Sequence, residues 1–134
     1  NLNRNYNDVI YLNHCKNADV IYASTGDYLF SQQLRIKEFL DKNQPDLRIK
    51  YVYIKNLDVL KDNKRIKEIF GSNKVVYTYM GYQSVLKNLL FGISNDIEIL
   101  GYKDKSIKST NIENKLKANE MGDEQIINLK KEPK

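Results

Sequence analysis

Short apolar runs alternate along this chain with longer segments of helical periodicity, and this alternation limits the folds it can adopt. The runs are rich in β-branched and aromatic residues and carry apolar side chains on both faces, as strands covered by helices on both sides do. They cover residues 19–24, 49–54, 74–79 and 97–102. Strands of this kind separated by helices form parallel sheets with right-handed crossovers, so the pattern predicts an α/β fold, a three-layer αβα sandwich with a mostly parallel sheet.

The segments between the strands have the spacing of helices. The first follows the turn at Thr25-Gly26-Asp27, stops at residues 43–46, and places on one face Leu29, Gln33, Ile36, Phe39 and Leu40. A short helix at 65–70 is closed by Gly71. Gly81 breaks the third strand before a helix that runs to about Phe91 and carries Val85, Leu86, Leu89 and Leu90.

Two further helices are predicted after the fourth strand. Residues Thr110 to Glu113 match a capping box, in which the Thr110 hydroxyl accepts from the backbone N–H of Glu113 and the Glu113 carboxylate reaches back. This helix is expected to end near Met121. Asp123 is placed to cap a final short helix that carries Ile126, Ile127 and Leu129.

The length of 134 residues is that of one domain. We expect a single domain over 1–134, with an N-terminal lead-in at 1–17, the α/β domain at 18–129 and a polar tail at 130–134. No apolar run approaches the roughly 20 residues of a membrane helix, so no membrane partner is expected. The N-terminus has no initiator Met and no secretion signal, which indicates a fragment of a larger protein.

The charge of the chain is modestly basic, with a formal net charge of +5. The lysines are scattered singly, so a solvated surface is favoured over a nucleic-acid interface. The tyrosines in and beside the strands are expected to pack in the core, although stacking on RNA bases is a weaker alternative. A single cysteine, Cys15, indicates a reducing, cytoplasmic setting.

Ligands of parallel sheets bind beyond the carboxyl ends of the strands, so a site is expected at the turns that follow the strands. The candidate ligand-binding residues are Thr25, Gly26, Asp27, Gly81 and Tyr82. Backbone N–H groups of the first turn could face an anion at the helix N-terminus. A tight turn that needs glycine for its backbone angles explains the same residues and is the favoured interpretation.

No set of residues indicates catalysis or a metal site in this chain. His14 and Cys15 are adjacent, but adjacent side chains usually point apart, and one histidine with one cysteine is too few for a zinc site. Gly26-Asp27 begins like the Gly-Asp-Gly of thiamine-diphosphate enzymes, but Tyr28 stands where the second glycine belongs. We therefore expect no catalytic residue, no metal and no cofactor bound by this chain.

An ordered set of segments resembles the C-terminal domain of the xylulose 5-phosphate/fructose 6-phosphate phosphoketolases, a domain similar to that of transketolases. The segments span nearly the whole chain and are 18–27, 45–52, 56–60, 75–82, 101–103, 109–113 and 117–119. This family usually has histidine at the position of Met80, and proline at those of Gln83 and Asn111. The resemblance implies a three-layer α/β unit that packs in a homodimer.

The resemblance also implies a function. Phosphoketolases are carbon–carbon lyases of the aldehyde-lyase type in carbohydrate metabolism, which cleave a ketose phosphate with phosphate to acetyl phosphate and an aldose phosphate. Their thiamine diphosphate and magnesium are held by the two preceding domains. The chain is therefore expected to be a noncatalytic domain that serves assembly and the substrate entrance, inactive alone. The alternative is an independent regulatory module that binds phosphate or a nucleotide.

Overall fold

A five-stranded sheet forms the centre of the computed structural model, which describes residues 8–103 and 111–131. The strands are β1 (Val9–Tyr11), β2 (Val20–Thr25), β3 (Ile49–Ile54), β4 (Lys74–Tyr82) and β5 (Ile97–Tyr102). Their order is β1-β3-β2-β4-β5, and every neighbouring pair is parallel except β1 with β3. The predicted mostly parallel sheet is confirmed.

Helices cover both faces of the sheet. They are α1 (Asp27–Asn43), a 3₁₀ helix (Leu57–Lys61), α2 (Asn63–Phe70), α3 (Gln83–Leu89), α4 (Ile112–Ala118) and α5 (Asp123–Lys131). One apolar cluster joins the sheet to the 3₁₀ helix, α2 and α3, through Leu60, Phe70 and Leu86. A second joins the other face to α1, α4 and α5, through Ile36, Leu116 and Ile126. Since both faces bury apolar side chains, the three-layer αβα prediction is confirmed.

The first strand was not predicted, because the segment 1–17 was interpreted as a lead-in. Its three residues pair antiparallel with β3, with Val9 opposite Ile54 and Tyr11 opposite Val52. Asn13 then extends the pairing with its side chain, which donates to the Ile49 carbonyl and accepts from the Tyr51 N–H. A three-residue strand carries too little alternation to be recognised from its sequence.

The boundaries of β4 and α4 differ from the predictions. β4 continues through Gly81 to Tyr82, with its pairing to β5 irregular between Thr78 and Tyr82. The side chain that caps α4 is that of Asn111, whose amide oxygen accepts from the Asn114 N–H at 2.7 Å, and the helix ends at Ala118. Thr110 of the predicted capping box lies outside the described residues. Glu113 instead supplies negative charge to the first turn, where the helix dipole favours it.

In the described part of the chain, no helix combines the length and the apolar character that crossing a membrane requires.

Candidate functional site

The five candidate residues lie at one edge of the sheet, where β2 and β4 end. Thr25 is the last residue of β2, and Gly26 and Asp27 begin the turn into α1. Gly81 and Tyr82 are the last residues of β4, the parallel neighbour of β2. We call this the carboxyl edge. The structure therefore brings the two predicted groups to one place, although it assigns them different environments.

Gly26 is enclosed by its neighbours. Its φ of 127° lies in a region that side-chain-bearing residues rarely adopt, and a Cβ atom added to it would lie 2.6 Å from the Met80 Cβ. Its backbone N–H donates to the Tyr53 hydroxyl at 3.3 Å. Glycine is thus required for the turn, and the amide that would face an anion already has a partner.

Thr25 belongs to a buried chain of hydroxyl groups. Its Oγ1 donates to the Ile54 carbonyl at 2.7 Å and lies 2.8 Å from the Tyr77 hydroxyl, which donates to it because the Thr25 hydrogen is already used. Both side chains are buried. Burial raises the pKa of Tyr77 far above its ordinary value, so this hydroxyl stays protonated in the folded protein.

Asp27 places a carboxylate in the first turn of α1. The Tyr53 hydroxyl lies 3.4 Å from its Oδ1, and the Tyr53 ring packs on Phe30 with centroids 4.6 Å apart. Partial burial raises the pKa of Tyr53, with the nearby Asp27 charge adding to the rise. The positive end of the helix dipole is therefore already matched by a negative group, which opposes the binding of a phosphate there.

Gln33 completes the polar structure behind this turn. Its amide nitrogen donates to the carbonyls of Tyr22 and Val52, at 2.9 and 3.0 Å, and its oxygen accepts from the Ser24 hydroxyl at 2.9 Å. The side chain is fully buried and ties α1 to both β2 and β3. Its polar groups serve the fold, since each has a partner within the protein.

The β4 end of the carboxyl edge is more open. Tyr82 is 47% exposed, and the Cβ atom of a residue at Gly81 would lie 2.5 Å from the ring of Tyr79. Gly101 of β5 approaches Gly81 closely, since a Cβ there would lie 2.8 Å from the Gly81 carbonyl oxygen. The Gln83 side chain donates to the Gly101 carbonyl. Glycine at 101 is thus needed for the close approach of β4 and β5, and the Tyr82 ring remains available for contact.

The carboxyl edge does not fit the thiamine diphosphate and magnesium of the enzymes that the sequence resembles. The Gly26 amide donates to Tyr53, and Asp27 presents its carboxylate to the same hydroxyl. Over residues 8–103 and 111–131, no three His, Cys, Asp or Glu side chains are grouped as metal ligands would be. His14 is exposed and Cys15 half-buried in the loop after β1, away from this edge.

Sequence reasoning missed the partners that enclose the turn. Tyr53 and Tyr77 were expected in the core as rings, and both are buried, but their hydroxyl contacts with Gly26 and Thr25 were not foreseen. Gln33 did give a signal, because it is a polar residue on the predicted apolar face of α1. A polar residue in such a stripe indicates a buried hydrogen-bond network.

Comparisons with known proteins agree on one family and one fold. The family described as the XFP C-terminal domain matches residues 8–121. A probable phosphoketolase of Rhodopseudomonas palustris (strain BisB5) is 31% identical in an alignment of 104 positions, which covers 69% of this chain and 13% of that protein. One of Gloeobacter violaceus is 29% identical over the same shares. The chain thus matches about an eighth of the length of these relatives.

Solved transketolases share the fold. The transketolase of Leishmania mexicana superposes with a TM-score of 0.66 at 12% identity, over 92% of this chain and 17% of that one. That of Campylobacter jejuni gives a TM-score of 0.62 at 14% identity, over 92% and 18%. At such low identity the likeness concerns the fold alone.

Proposed function

Because this chain belongs to the XFP C-terminal domain family, the C-terminal domain of phosphoketolases, we propose that it is the noncatalytic C-terminal domain of a thiamine-diphosphate-dependent phosphoketolase. In this proposal the larger enzyme cleaves a ketose phosphate with phosphate to give acetyl phosphate and an aldose phosphate. Thiamine diphosphate and magnesium are held by the preceding domains of that enzyme. The domain itself serves assembly.

One observation carries the noncatalytic role: the polar groups of Thr25 and Gly26, at the β2 end of the carboxyl edge, are bonded to protein atoms. Thr25 bonds to Ile54 and Tyr77, and Gly26 bonds to Tyr53. A catalytic acid, base or nucleophile needs a polar group that can reach a substrate. Since these groups are already occupied within the protein, the chemistry is assigned to the rest of the enzyme.

The partners follow from the same proposal. The preceding domains and a second subunit of a homodimer cover part of the surface, and the open β4 end with Gly81 and Tyr82 lies toward the substrate entrance. Tyr82 is the exposed aromatic side chain of this end, at 47% exposure. A cytoplasmic location, without nucleic-acid or membrane partners, is part of the proposal. Whether Thr25, Gly26, Asp27, Gly81 and Tyr82 contact a ligand stays a prediction.

The alternative, an independent module that binds phosphate or a nucleotide, is not favoured. Such a module would use the free amides of a helix N-terminus. At the start of α1 one amide is bonded to Tyr53, and the Asp27 carboxylate faces an incoming anion. The family match also points to phosphoketolases.

The noncatalytic role is tested with the chain alone. The isolated chain, mixed with xylulose 5-phosphate, phosphate, thiamine diphosphate and Mg²⁺, should form no acetyl phosphate, and calorimetry should detect no binding of the cofactor. Acetyl phosphate above the protein-free blank would refute the proposal. The matched control is the intact Rhodopseudomonas palustris enzyme under the same conditions.

The assembly role is tested with a fusion protein. The Rhodopseudomonas palustris enzyme without its matched C-terminal segment should fail to assemble, and fusing this chain in place of that segment should restore the dimer. Analytical ultracentrifugation measures both. A truncated enzyme that assembles as well as the intact one would contradict the assembly role. Saturable binding of a nucleotide or sugar phosphate to the isolated chain would instead support the regulatory module.

A further inference from the structure

The outer edge of β5 presents backbone groups that no strand pairs. β5 is the last strand of the described sheet, and its other side pairs with β4. The Val75 N–H donates to the Asp96 carbonyl, which shows which residues of β5 direct their backbone groups toward β4. Residues 96, 98 and 100 therefore turn their N–H and C=O groups toward β4, whereas Ile97, Ile99 and Gly101 turn theirs outward.

Side chains cap the C-terminal end of this edge and leave its N-terminal part uncapped. Gln83 donates to the Gly101 carbonyl at 3.1 Å, and the Asn119 side chain accepts from the Lys103 N–H at 2.9 Å. Ile97 and Ile99 have no such cap within the described part of the chain. Their N–H and C=O groups form a short template for another strand.

A cleft of about 380 Å³ runs along the open part of β5. Gln83 and Lys87 of α3 line one side, and Asn119 and Glu120 line the other. Ile97 and Ile99 turn toward the α3 side, where they pack against its apolar cluster, and Leu100 packs into the cluster of the opposite side. The cleft is thus a groove with the sheet edge as its floor and a helical layer on each side.

The two sides of the groove have opposite charge. Lys87 lies on the α3 side, and Glu98 and Glu120 lie on the other. In the part of the chain that the structure describes, Glu120 pairs with Lys103, whereas Lys87 and Glu98 have no ion pair. A second copy paired antiparallel would keep its faces in register, which would set Lys87 near Lys87 and Glu98 near Glu98 of the two copies. Like charges at such positions are destabilising, so the charges disfavour self-pairing.

We propose that the β5 edge docks an extended peptide segment in which an acidic and a basic residue are adjacent. Adjacent residues of a strand point to opposite faces. The acidic side chain then faces Lys87, the basic side chain faces Glu98, and the backbone pairs with Ile97 and Ile99. This is strand addition, in which main-chain hydrogen bonds supply affinity and alternate side chains supply specificity. It neither requires nor excludes the proposed phosphoketolase role.

Two capped peptides of identical composition test the charge rule. In Thr-Val-Glu-Lys-Val-Thr the charged residues are adjacent and point to opposite faces, whereas in Thr-Glu-Val-Lys-Val-Thr they point to the same face. Titrations of the ¹⁵N-labelled chain, followed by NMR, should shift the Ile97 and Ile99 amides, and the first peptide should bind about threefold tighter than the second. Equal binding of the two peptides, or no shift at these amides at millimolar peptide, would overturn the proposal.

Proline substitutions test the edge itself. Ile99→Pro removes an outward N–H that makes no bond to β4, so it should preserve the fold and weaken peptide binding about tenfold. Tyr11→Pro is the matched control, because the Tyr11 N–H points outward at the opposite edge of the sheet. It should leave binding unchanged. Binding that survives Ile99→Pro, or that Tyr11→Pro weakens equally, would overturn the proposal.

A second pair of variants covers the case in which Ile99→Pro fails to fold. Lys87 and Glu98 are exposed, so Lys87→Ala and Glu98→Ala should fold and each should reduce the preference for the first peptide. An unchanged preference would contradict the charge rule. Sedimentation of the chain without peptide tests whether a second copy of the chain occupies the groove. A dimer that dissociates in Ile99→Pro would show that it does, and would also overturn the proposal.

Discussion

At the β2 end of the carboxyl edge, Thr25 and Gly26 are surrounded by Tyr53, Tyr77 and Met80, and the polar groups among them bond to protein atoms. The β4 end lies on the neighbouring strand, and its Tyr82 side chain is 47% exposed to solvent. Both ends follow a parallel strand and both contain a glycine. Their glycines nevertheless meet different constraints: Gly26 needs an unusual backbone angle and lies against the Met80 Cβ, whereas Gly81 lies against the ring of Tyr79.

This difference shows that position at the carboxyl edge is not enough to make a site. The topology of a parallel sheet places loop residues there, but a ligand needs polar groups that are still unpaired. The β2 end uses its hydroxyls and amide to fix the start of α1. The β4 end keeps an exposed ring, which suits contact with another domain better than recognition of a phosphate.

The largest difference between the two ends is expected on adding a methyl group to each glycine. Gly26→Ala forces a disfavoured φ and brings a Cβ atom against the stem of Met80, so the free energy of unfolding should fall by about 4 kcal/mol. Gly81→Ala meets only the ring tip of Tyr79, which can rotate away, and should cost about 1 kcal/mol. Urea denaturation measures both. Equal losses would show that the ends do not differ in tightness.

The strands and the order of layers could be predicted because strands that are buried on both faces consist of continuous apolar runs. The strands 49–54 and 97–102 agree with β3 and β5 to the residue. The α1 stripe was also correct for Leu29, Ile36 and Leu40, whereas Phe39 is 44% exposed. Periodicity assigns a face, but a residue at the border of that face is buried only if another element reaches it.

The contents of the site were harder to predict than its place. The sequence located the carboxyl edge through the turn at Gly26 and the glycine at 81, because turn residues act locally. It could not show that Tyr53 or Tyr77 would reach Thr25 and Gly26, since those contacts join residues 27 and 52 positions apart along the chain. The long-range partner of a polar group decides whether it is available to a ligand, and local pattern carries no information about that partner.

Alkaline pH should lower the free energy of unfolding, in part through Tyr77 at the β2 end. Burial raises the pKa of Tyr22 and Tyr77 far above the ordinary value, so both stay neutral when folded and ionise near pH 10 only when unfolded. Their contribution is fully present below pH 10 and is lost above it, by about 0.8 kcal/mol each at pH 10.5. Urea denaturation at pH 8 and pH 10.5 should show that Tyr77→Phe loses about 0.8 kcal/mol less than the parent chain between these pH values. An identical loss in both proteins would argue that Tyr77 ionises in the folded state.

Removing one hydroxyl group from each end at neutral pH compares the two ends directly, and Tyr82→Phe is expected to have the smallest effect. Tyr77→Phe deletes the donor to Thr25 while Thr25 keeps its bond to Ile54, so the free energy of unfolding should fall by about 1 kcal/mol. Tyr82→Phe changes an exposed side chain and should stay within about 0.5 kcal/mol of the parent. Thermal and urea denaturation of the two variants compare one hydroxyl at each end. If Tyr82→Phe proved the more costly change, the exposed end would have to contain a structural bond, and the open end would no longer be the one left for a partner.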